Sequence, residues 1–555
     1  MKKTASVIII LAAMSAFGHA QTASDAILFS STDYEGTART MAMGNAFTAL
    51  GGDLGSISIN PAGSAVAKYS QITLTPSLTL SISRTQGVSP YQDGSLPYFE
   101  RNMKNTAVGF GLPNIGATCN LNTHRTSGLK NITFGFIANR SNSWNEDMYA
   151  SGRNSTTSFM GAMAANATAN GYLGSELDLD NAYDMYPWKD VVGYQSGMFM
   201  TYGGQDDQFA GTSEAIYMNG DNTEIALAGP IDQTFGKKVY GSKYEYLFNF
   251  GANFSDFLYI GANLGVNSMD YNYREYFKEA AVDPADFEIE LNDGKKMYFH
   301  DMLYKYSYSA ASVGYFAKFG VILTPGAGLR IGAAISTPTL MNITEVWSNY
   351  GETNYTDKRY DAYASSPEGE YKYSFVAPYR ANFGIGWSIG KVAVLSADYE
   401  LCDYRKMRFK SPAYESSSSY FDEVNDDIKA RFGTSHTFRF GAEVKPFRPL
   451  AIRAGYGVST AAEKLDFYGE KLPNLYAHNV AFGLGFNSKG SFFADLACRY
   501  SFSTREGDAW RKAGEYIMPY EDYIFDTDGN LSAPAPEILH VKSAWKIMLT
   551  LGFRF

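Results

Sequence analysis

The stretch Trp545 to Phe555 reads W-K-I-M-L-T-L-G-F-R-F. Trp545, Ile547, Leu549, Leu551, Phe553 and Phe555 alternate with Lys546, Met548, Thr550, Gly552 and Arg554. Successive side chains of a β-strand point to opposite faces. One face is therefore wholly apolar with aromatics at both ends, and the other is mostly polar or small. About ten residues of this alternation match a strand that crosses a bilayer, with aromatic girdles at the two interfaces.

The pattern recurs through the chain. Ile72, Leu74, Leu78, Leu80 and Ile82 share a face, as do Tyr244, Tyr246, Phe248, Phe250, Ala252 and Phe254. Phe438, Phe440, Ala442 and Val444 repeat it, and so do Val480, Phe482, Leu484 and Phe486. Tight connections built on turn residues, such as Phe254-Ser-Asp-Phe257 and Thr324-Pro-Gly-Ala-Gly328, alternate with long polar ones at roughly 84–104, 141–242, 271–302, 347–370, 409–434, 461–476 and 504–542. The alternation predicts fourteen strands, at about 71–83, 105–112, 130–140, 243–254, 257–270, 303–324, 328–346, 371–388, 391–408, 435–445, 449–460, 477–487, 491–503 and 543–555. The expected fold class is all-β, a transmembrane antiparallel β-barrel over residues 70–555. Closure leaves no strand edge unpaired in lipid.

Composition agrees. The chain carries 41 Tyr, 37 Phe and 53 Gly. The opening MKKTASVIIILAAMSAFGHA has a basic start, a short apolar core and a small-residue cleavage site, and is expected to be a secretory signal peptide over residues 1–20. A net charge of −10 disfavours a nucleic-acid partner. The three cysteines, Cys119, Cys402 and Cys498, form neither a disulfide framework nor a metal pair. Asp526-Thr-Asp528-Gly-Asn530 resembles half of a calcium loop, but Glu537 is off the required spacing, so an exposed turn is expected. No metal or cofactor is expected. No GxSxG elbow is present and the His residues form no evident catalytic set, so no enzyme is expected.

Residues 21–69 precede the first predicted strand. They are too small and too interrupted to span, and a fourteen-strand barrel is too wide for its own side chains to fill. A plug in the lumen, entered from the periplasmic side, is expected. Ala38 to Leu50 reads as a short helix ended by Gly51-Gly52-Asp53. Asn60 is biased to an extended conformation by Pro61, which then opens a helical turn through Ala62 and Gly63.

The segment GTARTMAMGNAFTALGGDLGSISINPAG, with Asn60-Pro61-Ala62 following Gly51-Gly52-Asp53, resembles the N-terminal hatch of the FadL/TodX-type outer-membrane transporters. The resemblance implies uptake of long-chain fatty acids or other hydrophobic compounds across the bacterial outer membrane. It also implies capture at outer loops, binding in the lumen, and hatch-gated lateral release through a kinked wall strand. Gly51, Gly52, Asp53, Asn60, Pro61, Ala62 and Gly63 would be the hatch and gating residues. The kink is expected in 130–140 at Gly135, with Gly109, Gly111 and Pro113 weakening the strand before it. The C-terminal Phe555 resembles the signal read by the outer-membrane assembly machinery.

Strand parity places Arg380, Asp398, Glu400, Arg439, Glu443, Arg453, Asp495, Arg499 and Lys546 on the lumen face. Buried charges need partners, so most are expected to pair with one another. Arg439 or Arg453 is the candidate for holding a ligand carboxylate. In the longest loop, Phe159, Met160, Met163, Met198 and Met200 are either an apolar capture surface or the loop's own core. The alternative is a receptor or pore for haem, an aromatic compound or a hydrophilic solute. A general porin needs no plug, which weighs against that reading.

Overall fold

The computed structural model describes residues 21–89, 98–100, 102–219, 222–291, 294–411, 421–464, 466–467, 470–471, 474–488, 490–525 and 531–555. The expected signal peptide, 1–20, and the Asp526–Asn530 stretch lie outside these residues.

Fourteen antiparallel wall strands follow one another around a closed barrel. They are β1 (Gln71–Val88), β2 (Met103–Asn122), β3 (Leu129–Asn154), β4 (Ile231–Phe254), β5 (Leu258–Ala281) and β6 (Lys296–Gly326). Next come β7 (Leu329–Ser336 and Thr339–Tyr355), β8 (Gly369–Ala377 and Arg380–Ile389), β9 (Ala393–Asp403) and β10 (Thr434–Phe447). The last four are β11 (Leu450–Thr460), β12 (Leu475–Asn487), β13 (Phe492–Arg505) and β14 (Glu537–Arg554). The barrel closes where β1 pairs with β14, from Gln71↔Arg554 to Val88↔Glu537. Pro338 and Pro378 interrupt β7 and β8 at the same height, because proline has no N–H for the ladder.

The outward face carries the apolar side chains, among them Leu264, Tyr315, Ile335, Phe383, Phe482 and Leu549, all exposed. In water so much exposed apolar area would be a liability; in a bilayer it is the favourable surface. Among the described residues no helix is long and apolar enough to cross a membrane. The strands do the crossing.

Several strands run further outward than the alternation predicts. β6 has 31 residues, and β3 and β4 stay paired to Asn154↔Ile231. Residues 141–154 and 231–242 are therefore wall, and the longest connection is 155–230. That connection folds into a cap, with α3 (Phe159–Ala169), α4 (Gly174–Leu177), α5 (Ala182–Met185), α6 (Trp188–Gln195) and two short hairpins. Phe159, Met160, Met163 and Met198 are buried in its core together with Phe277, Phe299 and Tyr520. Met200 is half-buried. The loop's aromatic and methionine cluster is thus its own core and not a capture surface.

The N-terminal segment lies inside the barrel, as expected, but it reaches higher. Its first helix, α1 (Ala23–Ser30), packs in the outer half of the lumen against α7 (Asp422–Arg431) of an outer loop. α1 is fixed by a capping box between Thr22 and Asp25 and by Phe29 against Phe375 at 5.9 Å. α2 is shorter than predicted, Ala38–Ala42, and is followed by turns with positive φ at Gly44 and Asn45. Two tight 3-10 turns, Leu54–Ser58 and Pro61–Val66, complete the plug.

Candidate functional site

The plug and the wall fit through backbone. Gly51 and Gly52 have φ of +62° and +75°, which few other residues adopt. A Cβ on Gly51 would sit 2.7 Å from Gly63 Cα, and the Gly52 N–H donates to the Gly63 carbonyl at 2.8 Å. Asp53 caps the first 3-10 turn through Gly55 N–H at 2.9 Å and accepts from Thr37 Oγ1 at 2.6 Å. Asn60 Oδ1 accepts from Ala62 N–H at 3.0 Å, so it starts the turn that Pro61 continues. Asn60 Nδ2 donates to Thr48 O at 2.7 Å and to the wall carbonyl of Val321 at 3.2 Å. Asn60 is thus both a cap and a rivet.

The plug's other carbonyls are satisfied by wall side chains. Asn139 donates to Leu54 O at 3.4 Å, Asn249 to Pro61 O at 3.1 Å and Asn263 to Ile57 O at 2.9 Å. Arg330 donates to Leu50 O at 2.7 Å. A buried carbonyl left without a donor would cost about 1–3 kcal/mol, so an irregular plug needs such a wall. The close approach is made at inward-facing glycines. Gly251, Gly261, Gly320, Gly332, Gly384, Gly441, Gly455 and Gly483 each lie against the plug, and a Cβ on Gly384 would come within 2.7 Å of Thr48 Cβ. The sequence signal was present: each is a strand glycine on the lumen parity.

The lumen charges lie where parity predicted, and all but Asp398 are in ion pairs, Arg499 and Lys546 with Asp33 and Glu35 of the plug. Arg453 is 3% exposed and donates to Glu443 at 2.7 Å and Asp495 at 2.6 Å. Arg39 of the plug joins the same Glu443 at 3.0 Å. Arg453 therefore locks wall to plug, and both of its carboxylate partners are already in place. Arg439 differs. Its Nη2 donates to Glu400 at 3.0 Å, but its Nη1 is buried without a partner.

The wall is not uniform. β2 and β3 pair only from Asn114↔Asn139 to Asn122↔Asn131. Above that, β2 stays with β1 and β3 stays with β4, and a register shift falls between Arg140 and Asn142. A slit opens between Met103–Pro113 and the outer half of β3. Gly135, the expected kink, is paired on both sides, to Thr118 and Asn249. The break comes instead at Arg140–Asn142, opposite Pro113, next to the last pair. The reason is physical: Pro113 offers no N–H, whereas Gly135 keeps both its backbone groups.

The slit is stoppered by side chains. Asn145 Nδ2 donates to Ala107 O at 3.2 Å, and Tyr244 Oη to Leu112 O at 3.3 Å. Arg140 lies against Gly111 and donates to Ser77 Oγ at 3.0 Å. Its Nε and Nη2 also reach Glu35 of the plug, at 2.9 and 2.6 Å. Lys546 of β14 holds the same Glu35. Val108 and Phe110, exposed on the outer face of β2, put the slit at the level of the apolar band. Further out, β3 is tied to β14 by Lys542 Nζ–Glu146 at 3.0 Å. Glu146 converges there with Glu515 and His540, but Lys237 and Lys542 occupy the same carboxylates, so the group is an ion-pair network.

Above the plug lies a cavity of about 530 Å³, lined by α1, the plug, the outer halves of β3 and β4, and strands β8 to β14 and β1. Arg439 lines it; Arg453 does not.

These features define a class: a bilayer-spanning barrel with a plugged lumen, an inner chamber and a lateral slit, the architecture of an outer-membrane transporter. Among solved structures, a Pseudomonas aeruginosa FadL homologue is similar at 10% identity and TM-score 0.48, covering 95% of this chain and 100% of that one. The Pseudomonas putida toluene transporter TodX is similar at 12% identity and TM-score 0.46, covering 94% of this chain and 99% of that one. The Ralstonia pickettii toluene transporter TbuX is similar at 10% identity and TM-score 0.42, over 94% and 99%. No family model and no curated protein sequence matches the chain.

Proposed function

We propose that the chain is an outer-membrane transporter that takes up hydrophobic compounds, long-chain fatty acids among them, and releases them sideways into the bilayer. Solute meets exposed apolar side chains of the outer loops such as Leu179, Met185 and Tyr363. It passes into the chamber above the plug and leaves through the slit between β2 and β3. An apolar chain gains about 0.8 kcal/mol per CH₂ moved from water into lipid, so a lateral exit into the bilayer runs downhill.

The observation that carries this reading is Arg140. It stands in the slit and is held by Glu35 of the plug, so a displaced plug withdraws the partner that keeps the slit filled. Gly51, Gly52, Asp53, Asn60, Pro61, Ala62 and Gly63 set the plug's position and act as its gating residues. Phe555, exposed beside β1, is left for the assembly machinery.

The test is uptake of a fluorescent long-chain fatty acid by cells that lack their own transporter. The intact chain should support uptake, and Asn60→Ala with Pro61→Ala should change its rate. Uptake at background, with small sugars leaking in instead, would make the chain a pore.

A further inference from the structure

We infer that the chain is cut between Ala20 and Gln21, and that the ammonium freed on Gln21 seats inside the barrel against Asp25 and Glu345, where it anchors α1 in the outer lumen. Which solute the barrel carries does not enter.

Two independent observations meet at Gln21. The first is in the sequence: a basic start, a short apolar core and Gly18-His19-Ala20 place a leader cut just before it. The second is where the fold puts the residue. Gln21 is 6% exposed, and its Nε2 donates to Glu345 Oε2 of β7 at 2.9 Å. The next amide, Thr22 N–H, donates to Asp25 Oδ2 at 2.8 Å. The backbone nitrogen of Gln21 is one residue before that amide, and one residue spans at most about 3.6 Å, so it lies within about 6.5 Å of the Asp25 carboxylate.

Both carboxylates lack a cation. Asp25 and Glu345 are 7% and 0% exposed, and neither is in an ion pair among the described residues. Their partners are neutral: Thr22 Oγ1 on Asp25 at 2.8 Å, and on Glu345 the Tyr308 hydroxyl of β6 at 2.7 Å, the Tyr373 hydroxyl of β8 and the Gln21 amide. Lys243 grips the other end of α1, where it donates to Phe29 O at 2.7 Å and Ser31 O at 3.0 Å. A buried carboxylate without a positive partner is costly. Deeper in the same lumen Glu35, Glu400 and Glu443 each have one. Hydrolysis of the Ala20–Gln21 bond by a leader peptidase supplies the missing charge. Water adds across the bond: Ala20 leaves with the new carboxylate, and Gln21 keeps the nitrogen as an amine that takes up a proton at neutral pH. In the uncut chain the same nitrogen is a neutral amide. The dipole of α1 disfavours a cation at its start, and Asp25 in the first turn offsets it. Ile27 and Ser31 of α1 line the chamber, so the cut also fixes one of its walls.

The experiment takes the full chain from outer membranes into lipid nanodiscs. Mass spectrometry of the N-terminal peptide should find a chain that begins at Gln21 with a free amine. The rate at which N-hydroxysuccinimidyl acetate acetylates that amine at neutral pH then reads its pairing, since a protonated, ion-paired amine does not react. Asp25→Asn with Glu345→Gln should raise the rate at least tenfold. Glu345→Gln alone should give part of the rise, and it serves where the double variant does not assemble. Gln21→Ala keeps the ammonium, and Tyr373→Phe removes a hydrogen bond from Glu345 but no charge; both should stay within twofold of the parent. A chain that begins elsewhere, an N-terminus cyclised to pyroglutamate, or variants of the two acids that react no faster than the parent overturns the inference. So does a Gln21→Ala amine as reactive as that of the double variant, because the side-chain amide would then be the anchor. Uptake by the parent is read separately, so the transport reading stands or falls on its own.

Discussion

Arg453 and Arg439 face the same lumen with the same charge, and the structure gives them different work. Arg453 joins two wall carboxylates, all three of them buried, and one of these carboxylates also holds the half-buried Arg39 of the plug. Removing a buried charge and leaving its partners uncompensated costs about 3–5 kcal/mol. Arg453→Ala should therefore lower the unfolding temperature of the purified barrel, read by the heat-dependent shift on gels. Arg439→Ala should lower it less, because Glu400 keeps Arg380. Asn60→Ala removes a cap and a rivet together. It should weaken the plug by about 1–3 kcal/mol and raise the opening frequency of single channels in planar bilayers without changing the barrel's circular dichroism. Parity read the position of all these charges because lipid enforces the alternation on the opposite face. It could not say which arginine shares its carboxylate with the plug, since that depends on the plug's own Arg39, whose place in the lumen is not written in the strand pattern.

At the scale of elements, the plug is held by carbonyl-to-amide bonds at a belt of glycines. Gly441→Val would push a side chain into the Met43 carbonyl. The barrel should still assemble, while protease added from the inner side should cut residues 36–60 faster than in the parent. The slit shows where local sequence logic stops. Gly135 is a strand glycine and reads as a weak point, yet it is paired on both sides, and the break follows Pro113. The outer half of β3, SNSWNEDMYA, shows no apolar alternation because it lines the slit and is mostly half-buried rather than facing lipid with every second side chain. For the same reason it read as loop. The cap has its own titration. Burial pushes the Asp190 carboxyl up to about 6 and that of Glu214 up to about 7, the latter against hydrogen bonds from Gly211 N–H and Tyr523 Oη. A carboxyl raised above its unfolded value of about 4 contributes stability that is full below that value and lost as pH rises through the folded value. Protection factors of the amides across 159–195, taken relative to the intrinsic exchange rate at each pH, should therefore be higher at pH 5.5 than at pH 8, and Glu214→Gln should reduce the difference.

At the scale of the whole molecule, a barrel this wide stays closed because the plug fills its centre and the cap covers its outer mouth. What remains, among the described residues, is a chamber between them and the long unpaired stretch between β2 and β3. Strand number, strand order and the plug were legible in the sequence, since the bilayer imposes a period of two and the plug carries its own turn residues. The chamber was not. Its lining is gathered from ten strands and a plug that ran higher than expected, and no local pattern encodes that convergence.

The central claim is that solute leaves through the seam between β2 and β3. A cysteine at position 109 would place its Cβ 3.1 Å from the present Asn145 Cγ, which is where the sulfur of a cysteine at 145 would lie. Gly109→Cys with Asn145→Cys, in a chain with Cys119, Cys402 and Cys498 replaced by serine, ties the two edges together. Uptake of the fluorescent fatty acid should fall to background when this pair is oxidised and return on reduction. Uptake that proceeds unchanged through the oxidised barrel would contradict the lateral route.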